Sequence, residues 1–270
     1  FDDDTQKKLT DKGYKLLTME EVMASGMENE VDFADVTPDT VYTFSYTSGT
    51  TGNPKGALLT HKNHIAMKSA LEGAGVQFDH SDRHLSYLPL AHIFEKAVLS
   101  IMFGGGAQIG FYSGDTQKIK EDLQVLKPTF FPSVPRLYNK FYELMTKNID
   151  SLTGMKKNLA DRAVKAKQYY LKEQCAYKLS LYDKLIFGKI AAAFGGHVKL
   201  MVTAAAPISG EVLDFLKIAT SSPILEAYGQ TESTGGSFVT HPHDPTFGHV
   251  GGPTACTEFK LVDVPEMSYT

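Results

Sequence analysis

Residues 46–56 read YTSGTTGNPKG, with three glycines, a run of hydroxyl side chains and one lysine. The segment is too polar for a core and follows a strand-like run, VYTFSYT at 41–47. Glycines let backbone N–H groups curl round an anion, and Ser48, Thr50 and Thr51 add donors to them. Lys55 adds a mobile positive charge, so the chemistry this pattern suits is the holding of a polyphosphate. The P-loop of nucleotide triphosphatases needs GxxxxGK[ST], and here Lys55 follows Pro54 and precedes Gly56, so that motif fails. GxGxxG fails as well, because the glycines stand at 49, 52 and 56. The alternative is a surface loop rich in turn formers; hydroxyls and a lysine directly after a strand favour the anion-binding reading.

Other chemistry-bearing residues are more ambiguous. His92 and Glu95 stand at i and i+3, on one face of a helix, and could be metal ligands; two make a poor site and no third is evident. His241, His243, Asp244 and His249 cluster in sequence, again without clear ligand spacing. Tyr228 taken alone reads as a core tyrosine.

These residues must be positioned by the surrounding elements, which alternate between β-rich runs and amphipathic helices. After VYTFSYT and the glycine loop, a helix is expected from about His61 to Gly73. HLSYLPL precedes AHIFEKAVLSIMF, a buried helix ended by Gly104, Gly105 and Gly106. AQIGFY and PTFF read as strands with TQKIKEDLQVL as the helix between them. A helical middle follows, PRLYNKFYELMTKNI and then Ser151 to Gln174, where Leu152, Met155, Leu159, Ala163, Ala166 and Tyr170 recur at spacings of three and four as an expected packing stripe. That stripe could alternatively meet a partner or a membrane. VKLMVTA, a helix around Gly210 to Ala219 and ILEAYG restore the rhythm, and TEFKLVD reads as a last strand. The pattern predicts an α/β fold with mostly parallel strands covered by helices and a β-rich C-terminal part.

At 270 residues the chain can bury a sizeable core, as one large domain or two lobes. The net charge of −4 argues against a nucleic-acid partner. Charge is unevenly spread: Arg136 to Lys199 holds 13 Lys+Arg and 5 Asp+Glu. Such a segment could rest on an anionic membrane surface, bind an anionic ligand, or be a solvated helix face. Two distant cysteines, Cys175 and Cys256, suit a reducing compartment without disulfides or a zinc knuckle. No apolar run approaches the roughly 18 residues that span a bilayer. The ends look cut, with no initiator methionine and a last segment, KLVDVPEMSYT, that stops straight after strand-like sequence.

YTSGTTGNPKG resembles the phosphate-binding signature of the adenylate-forming enzymes, and YGQTE (228–232) resembles their second signature. TAAAP (203–207) stands where that superfamily has its adenine-contacting turn, and YLPLAHIFE (87–95) is similar to its helix-opening histidine motif. SYLPLAHIFE, KPTFFPSVPRLYNK, YDKLIFGKI, VTAAAPIS, EAYGQTE, GHVGGP and KLVDVPEMSY narrow the resemblance to the eukaryotic long-chain fatty acyl-CoA synthetases. The similarity runs from Phe1 to Thr270, well under half of that family's length, as part of the N-terminal AMP-binding (adenylation) domain with the C-terminal lobe absent.

The resemblance implies activation of a long-chain fatty acid by ATP to acyl-AMP, then transfer to coenzyme A. It implies that Thr47, Ser48, Gly49, Thr50, Thr51, Gly52 and Lys55 hold phosphates, that Tyr228 stacks on adenine with Ala206 lining its edge, and that Gly229 and Gln230 belong to the same nucleotide-binding set. It also implies that Thr231 donates to the α-phosphate, that Glu232 binds Mg2+ and that His92 sits near the acyl carboxylate. Thr231, Glu232, His92 and Lys55 are thus the expected catalytic set. The family's ribose aspartate, hinge and catalytic lysine are expected beyond Thr270, because SGD at 113–115 comes too early. The isolated chain is therefore expected to bind nucleotide weakly and to form little acyl-CoA. Phe103, Gly104, Gly105 and Gly106 are candidate tunnel lining, and the family has a polar connecting loop where the histidine cluster lies. Membrane association through a missing N-terminal anchor is implied, on the cytosolic face of endoplasmic reticulum, outer mitochondrial membrane or peroxisome. The alternatives are a nucleotide- or lipid-binding module without catalysis and an adenylating enzyme for another carboxylic acid.

Overall fold

A computed structural model describes residues 2–47 and 53–269. The chain divides into two compact units, Phe1–Thr37 and Pro38–Thr270. The first holds helices α1 (Asp3–Asp11) and α2 (Met19–Glu28), neither of which buries a residue. Both are set by their N-termini: Asp2 accepts the Thr5 N–H at 2.7 Å, and Thr18 with Glu21 forms a capping box.

The second unit opens with an antiparallel hairpin, β1 (Val41–Thr47) and β2 (Lys55–Thr60), in which Thr47 pairs with Lys55. Thr47 and Lys55 are therefore held side by side. Thr60 then caps α3 (His61–Gly73) reciprocally with Asn63, the span that the periodicity predicts.

Six elements complete the first half of the main sheet and its cover: β3 (Arg83–Ser86), α4 (Ile93–Gly104), β4 (Gln108–Phe111), α5 (Ile119–Leu126), β5 (Phe130–Ser133) and α6 (Pro135–Asp150). Helix α7 (Gly154–Gln174) follows, then a broken helical stretch comprising α8 (Ser180–Tyr182), a π turn at Asp183–Phe187 and α9 (Gly188–Ala191). The chain returns to the sheet with β6 (Leu200–Thr203), α10 (Gly210–Thr220), β7 (Ile224–Tyr228), β8 (Phe238–Val239) and β9 (Gly252–Pro253). The strand order is β4-β3-β5-β6-β7-β8-β9, parallel from β4 to β7 and antiparallel beyond. This is the expected mostly parallel α/β sheet.

Successive side chains of a strand point to opposite faces, so Phe130 and Phe131 of β5 enter different cores. Phe131, Leu85 and Met201 pack under α5, α6, α7 and α10, while Phe130, Leu200 and Val202 pack under α3 and α4. Every residue of β5 and β6 is buried, as helices on both faces require.

Two expectations are corrected. In α7 the buried positions are Ala160, Ala163, Lys167 and Leu171, so of the expected stripe only Ala163 is buried, and Met155 is 88% exposed. The helix is rotated because Lys167 turns inward: its Nζ donates to Asp183 Oδ1 at 2.5 Å, Ile218 O at 2.5 Å and Ser221 Oγ at 2.8 Å. Burial opposes this charge and pushes the ammonium pKa down, while Asp183 works against that shift. TEFKLVD forms no strand; its residues are mostly exposed and join no sheet among the described residues.

Candidate functional site

A cavity of about 660 Å³ opens where the chain leaves the carboxyl ends of β6 and β7. Crevices at the carboxyl ends of parallel strands are where α/β sheets bind ligands. One wall is α4, through Ile93, Phe94, Ala97, Val98 and Ile101; the floor is Phe130, Val202 and Ala227 of the sheet. Leu71 and Val76 from the α3 side and Val239 of β8 close the apolar interior. The mouth is polar: Thr47, Lys55, His92 and the run Tyr228 to Glu232.

The sequence-predicted residues Thr47, Lys55, His92, Tyr228, Gly229, Gln230, Thr231 and Glu232 are thus brought to one cavity from four separate elements. Ser48, Gly49, Thr50, Thr51 and Gly52 lie outside the described residues. Ala206 is exposed and does not line the cavity; Ala204 and Ala205 do, with Ala205 in the left-handed region at φ 76° as the chain turns off β6. Phe103 to Gly106 are also absent from the lining, because α4 points its Ala97, Val98 and Ile101 face inward and leaves Phe103 69% exposed.

Local geometry explains each placement. Tyr228 ends β7 with its ring edge-on to Phe238 at 6.0 Å, and Gln230 Nε2 donates to its hydroxyl at 3.2 Å. The turn that follows is closed by Gly235 N–H donating to Gln230 O at 3.0 Å and by Gln230 N–H donating to Ser233 Oγ at 3.0 Å. Gly229 is needed for this packing, since a Cβ there would stand 1.0 Å from Gly235 O.

His92 is the N-cap of α4 and makes no capping bond, so the first N–H groups of that helix have no side-chain cap from it. One turn on, Glu95 is fully buried and turns the other way: Ser86 Oγ donates to its Oε1 at 2.6 Å, and His84 Nε2 lies 3.2 Å from the same oxygen. His92 and Glu95 therefore do not converge on a metal. Among the described residues no group of three or more His, Cys, Asp or Glu could hold one. In the histidine-rich loop, Asp244 pairs with His249 at 3.3 Å and His241 faces His243 at 5.4 Å, forming local turns. Asp115 of SGD caps a short 3-10 turn through Gln117 N–H.

Sequence reasoning missed the residues that fix the hairpin to α4. Lys96 Nζ donates to Thr43 Oγ1 at 3.0 Å and Ser45 Oγ at 2.8 Å, and His64 of α3 contacts Ser100 Oγ while its ring lies 4.7 Å from that of Tyr42. These contacts hold β1 and β2, and with them Thr47 and Lys55, against the cavity wall. Burial, then the nearby charges of His61 and Lys96, keep the His64 imidazole below its ordinary range. On β7 itself, burial raises the Glu226 carboxyl, whose Oε1 accepts the Gly248 N–H at 3.2 Å.

The profile of the AMP-binding enzymes matches residues 2–270. The chain belongs to this family. It is 43% identical over 273 residues to Long-chain-fatty-acid--CoA ligase 5 of Mus musculus, covering 100% of this chain and 40% of that protein. It is 43% identical over 260 residues to Long-chain-fatty-acid--CoA ligase 1 of Homo sapiens, covering 95% of this chain and 37% of the relative. Long chain acyl-CoA synthetase 6, peroxisomal, of Arabidopsis thaliana is 42% identical, over 96% of this chain and 36% of its own. The chain thus spans about 40% of the length of the curated relatives it matches. Among solved structures, a long-chain-fatty-acid-CoA ligase (FadD1) from Archaeoglobus fulgidus aligns with TM-score 0.60 at 21% identity, over 90% of this chain and 42% of that one. The anthranilate CoA ligase AuaEII in complex with anthranoyl-AMP aligns with TM-score 0.61 at 22% identity, over 86% of this chain and 37% of that one. These two likenesses establish the adenylate-forming fold.

Proposed function

We propose that this chain supplies the ATP- and acyl-binding part of a long-chain fatty acid-CoA ligase. The observation that carries the proposal is the two-sided cavity: a polar mouth bearing Thr47, Lys55, Thr231 and Glu232 leads into an interior of Ala97, Val98, Ile101, Phe130 and Val202. A polyanion and an alkyl chain have opposite solvation needs, and this cavity offers both environments in sequence. The names of the curated relatives supply the acid: a long-chain fatty acid.

A carboxylic acid with a pKa of about 4.5 is already ionised at neutral pH, so the first step needs no general base. The obstacle is the approach of one anion to another, which aligned donors and cations remove. Lys55 and Thr231 supply them at the mouth. Glu232 would hold Mg2+; a single exposed carboxylate beside phosphate oxygens fits an ion that keeps most of its waters, and Mg2+ neutralises phosphate charge when bound. Tyr228 offers a face to adenine, flanked by the Ala204 to Ala206 turn. The N-terminus of α4, at His92, places the positive end of a helix dipole where the fatty carboxylate would enter. Coenzyme A is the second substrate, receiving the acyl group in the complete protein.

The test is ATP–pyrophosphate exchange by the complete protein with palmitate, acetate or benzoate as the acid. Stimulation by palmitate above the other two is the expected result. Preference for acetate or benzoate would move the assignment to another adenylating enzyme, and no exchange with any acid would leave a binding module.

A further inference from the structure

We infer that the outward faces of α6 and α7 form a docking surface for an anionic lipid bilayer. The inference does not rest on the ligase reading. The two helices pack on each other and on α10, on one side of the sheet. Helix α6 is oriented by Tyr138, fully buried, whose hydroxyl donates to Phe131 O at 2.7 Å and Val202 O at 3.2 Å. Helix α7 is oriented by Lys167 and its three partners. Each inward anchor fixes which residues face away, since positions half a turn off are set by the 3.6-residue period.

On α6 the stripe opposite Tyr138, Phe141, Met145 and Ile149 carries Arg136, Lys140 and Lys147, with Glu143 and, at its end, Asp150 as acids. On α7 the stripe opposite Ala160, Ala163, Lys167 and Leu171 carries Arg162 and Lys165, with Glu173 near its end. These five cations are exposed, and among the described residues none takes part in an ion pair or a side-chain hydrogen bond. Asp150 and Asp161 are matched internally by Lys157, and Asp183 by Lys167. The surface is therefore a net positive field on a protein of net charge −4, which orients it toward an anionic partner.

Between the cations stand three exposed apolar or aromatic side chains, Leu144 at 50%, Met155 at 88% and Tyr169 at 60%. Cations interleaved with a tyrosine and aliphatic groups on an exposed helical face suit the headgroup and upper acyl region of a bilayer. A free phosphate would not need the apolar groups, and the acidic whole-chain balance argues against nucleic acid.

The experiment is cosedimentation of the 270-residue chain with phosphatidylcholine vesicles with or without about 30% phosphatidylserine. Binding is expected only to the anionic vesicles, and it should be lost in about 1 M salt, where the Debye length is about 3 Å. The combined Lys140→Glu, Arg162→Glu and Lys165→Glu variant should lower the partition coefficient roughly 100-fold or more, given about 1 kcal/mol per basic residue. These positions are exposed, so the variant should keep its circular dichroism and melting curve; the corresponding triple glutamine variant, which only removes the charges, should bind about 100-fold more weakly than the parent in the same assay, and no more weakly than the charge-reversed one. Absence of binding to anionic vesicles, or binding that all three charge reversals leave unchanged, would overturn the inference. Charge-dependent binding to an RNA homopolymer but not to vesicles would overturn it too.

Discussion

Ser86 Oγ and Glu95 Oε1 are 2.6 Å apart in the interior, joining the end of β3 to the first turn of α4. Glu95 is 0% exposed, its second oxygen has no partner among the described residues, and His84 Nε2 lies 3.2 Å from the first. The bond fixes the turn that begins at His92, the residue at the cavity mouth. Removing the carboxylate strands two buried polar groups, each costing about 1–3 kcal/mol. Glu95→Ala should therefore lower stability by about 3 kcal/mol in urea unfolding, whereas Glu95→Gln, which keeps an acceptor for Ser86, should lose about 1 kcal/mol. Equal stability of Glu95→Ala and the parent would contradict this reading.

Gly229 tests whether the turn after Tyr228 is held by backbone packing. A Cβ at 229 would lie 1.0 Å from Gly235 O, so Gly229→Ala must push two backbone segments apart, at a cost of about 2–3 kcal/mol. The displaced turn carries Thr231 and Glu232, and ATP affinity should fall at least about tenfold in a titration. Gly73→Ala is the contrast: nothing among the described residues stands within 4 Å of its Cβ, and it should stabilise α3 by about 0.4–1 kcal/mol. Wild-type ATP affinity in Gly229→Ala would remove the turn from the site.

His64 gives the hairpin contact a pH signature. Its folded-state pKa lies below the ordinary 6.5, because burial and the charges of His61 and Lys96 disfavour the imidazolium. Above pH 6.5 the ring is neutral in both states and its contribution to stability is intact. As pH falls below 6.5 the unfolded chain takes up the proton first, so stability drops until the folded pKa is passed. His64→Gln should flatten the stability profile in that window, measured by urea unfolding at successive pH values. An unchanged slope would show that His64 does not titrate between the two states.

Much of the architecture was legible in sequence. The strand at 41–47 and the helix at 61–73 were read at their observed bounds, because turn formers and a Thr–Asn cap punctuate them. The apolar runs PTFF and KLMVT gave central strands, since strands covered on both faces need no polar alternation. The setting of α7 was not legible: hydrophobicity counts a lysine as outward, and the partners that bring Lys167 in, Asp183, Ile218 and Ser221, lie 16 to 54 residues away. The burial of Glu95 was not legible for the same reason, as its partners His84 and Ser86 come from β3. TEFKLVD had strand composition but pairs with no strand among the described residues. At the site, two signatures far apart in sequence, 46–56 and 228–232, were legible as one place, while the apolar interior was not. Leu71, Val98 and Val239 look like any core residues until the helices are set on the sheet, and only helix α4's facing separates Ile101 from Phe103.

Lys167 anchors α7 through three partners, Asp183, Ile218 and Ser221. Lys167→Ala leaves the Asp183 carboxylate and the Ile218 carbonyl without their cation and should destabilise the fold by about 3–5 kcal/mol, as breaking a buried pair does. Replacing both partners together, Lys167→Met with Asp183→Leu, should recover a large part of the loss in the same unfolding measurement. A double variant as unstable as Lys167→Ala would mean that packing volume, not the unpaired charge, sets the cost.

The most direct test of the central claim is calorimetric binding of two non-reactive acyl-adenylate mimics, adenosine sulfamates carrying a palmitoyl or an acetyl group, to the 270-residue chain. If the polar mouth and apolar interior form one site for nucleotide and alkyl chain, the palmitoyl compound should bind at least about 100-fold more tightly, because each buried methylene contributes about 0.8 kcal/mol. Tyr228→Ala should weaken both compounds, and Ile101→Phe, which fills the interior, should weaken the palmitoyl one alone. Equal affinity for the two mimics, or a palmitoyl advantage that Ile101→Phe leaves intact, would contradict the account.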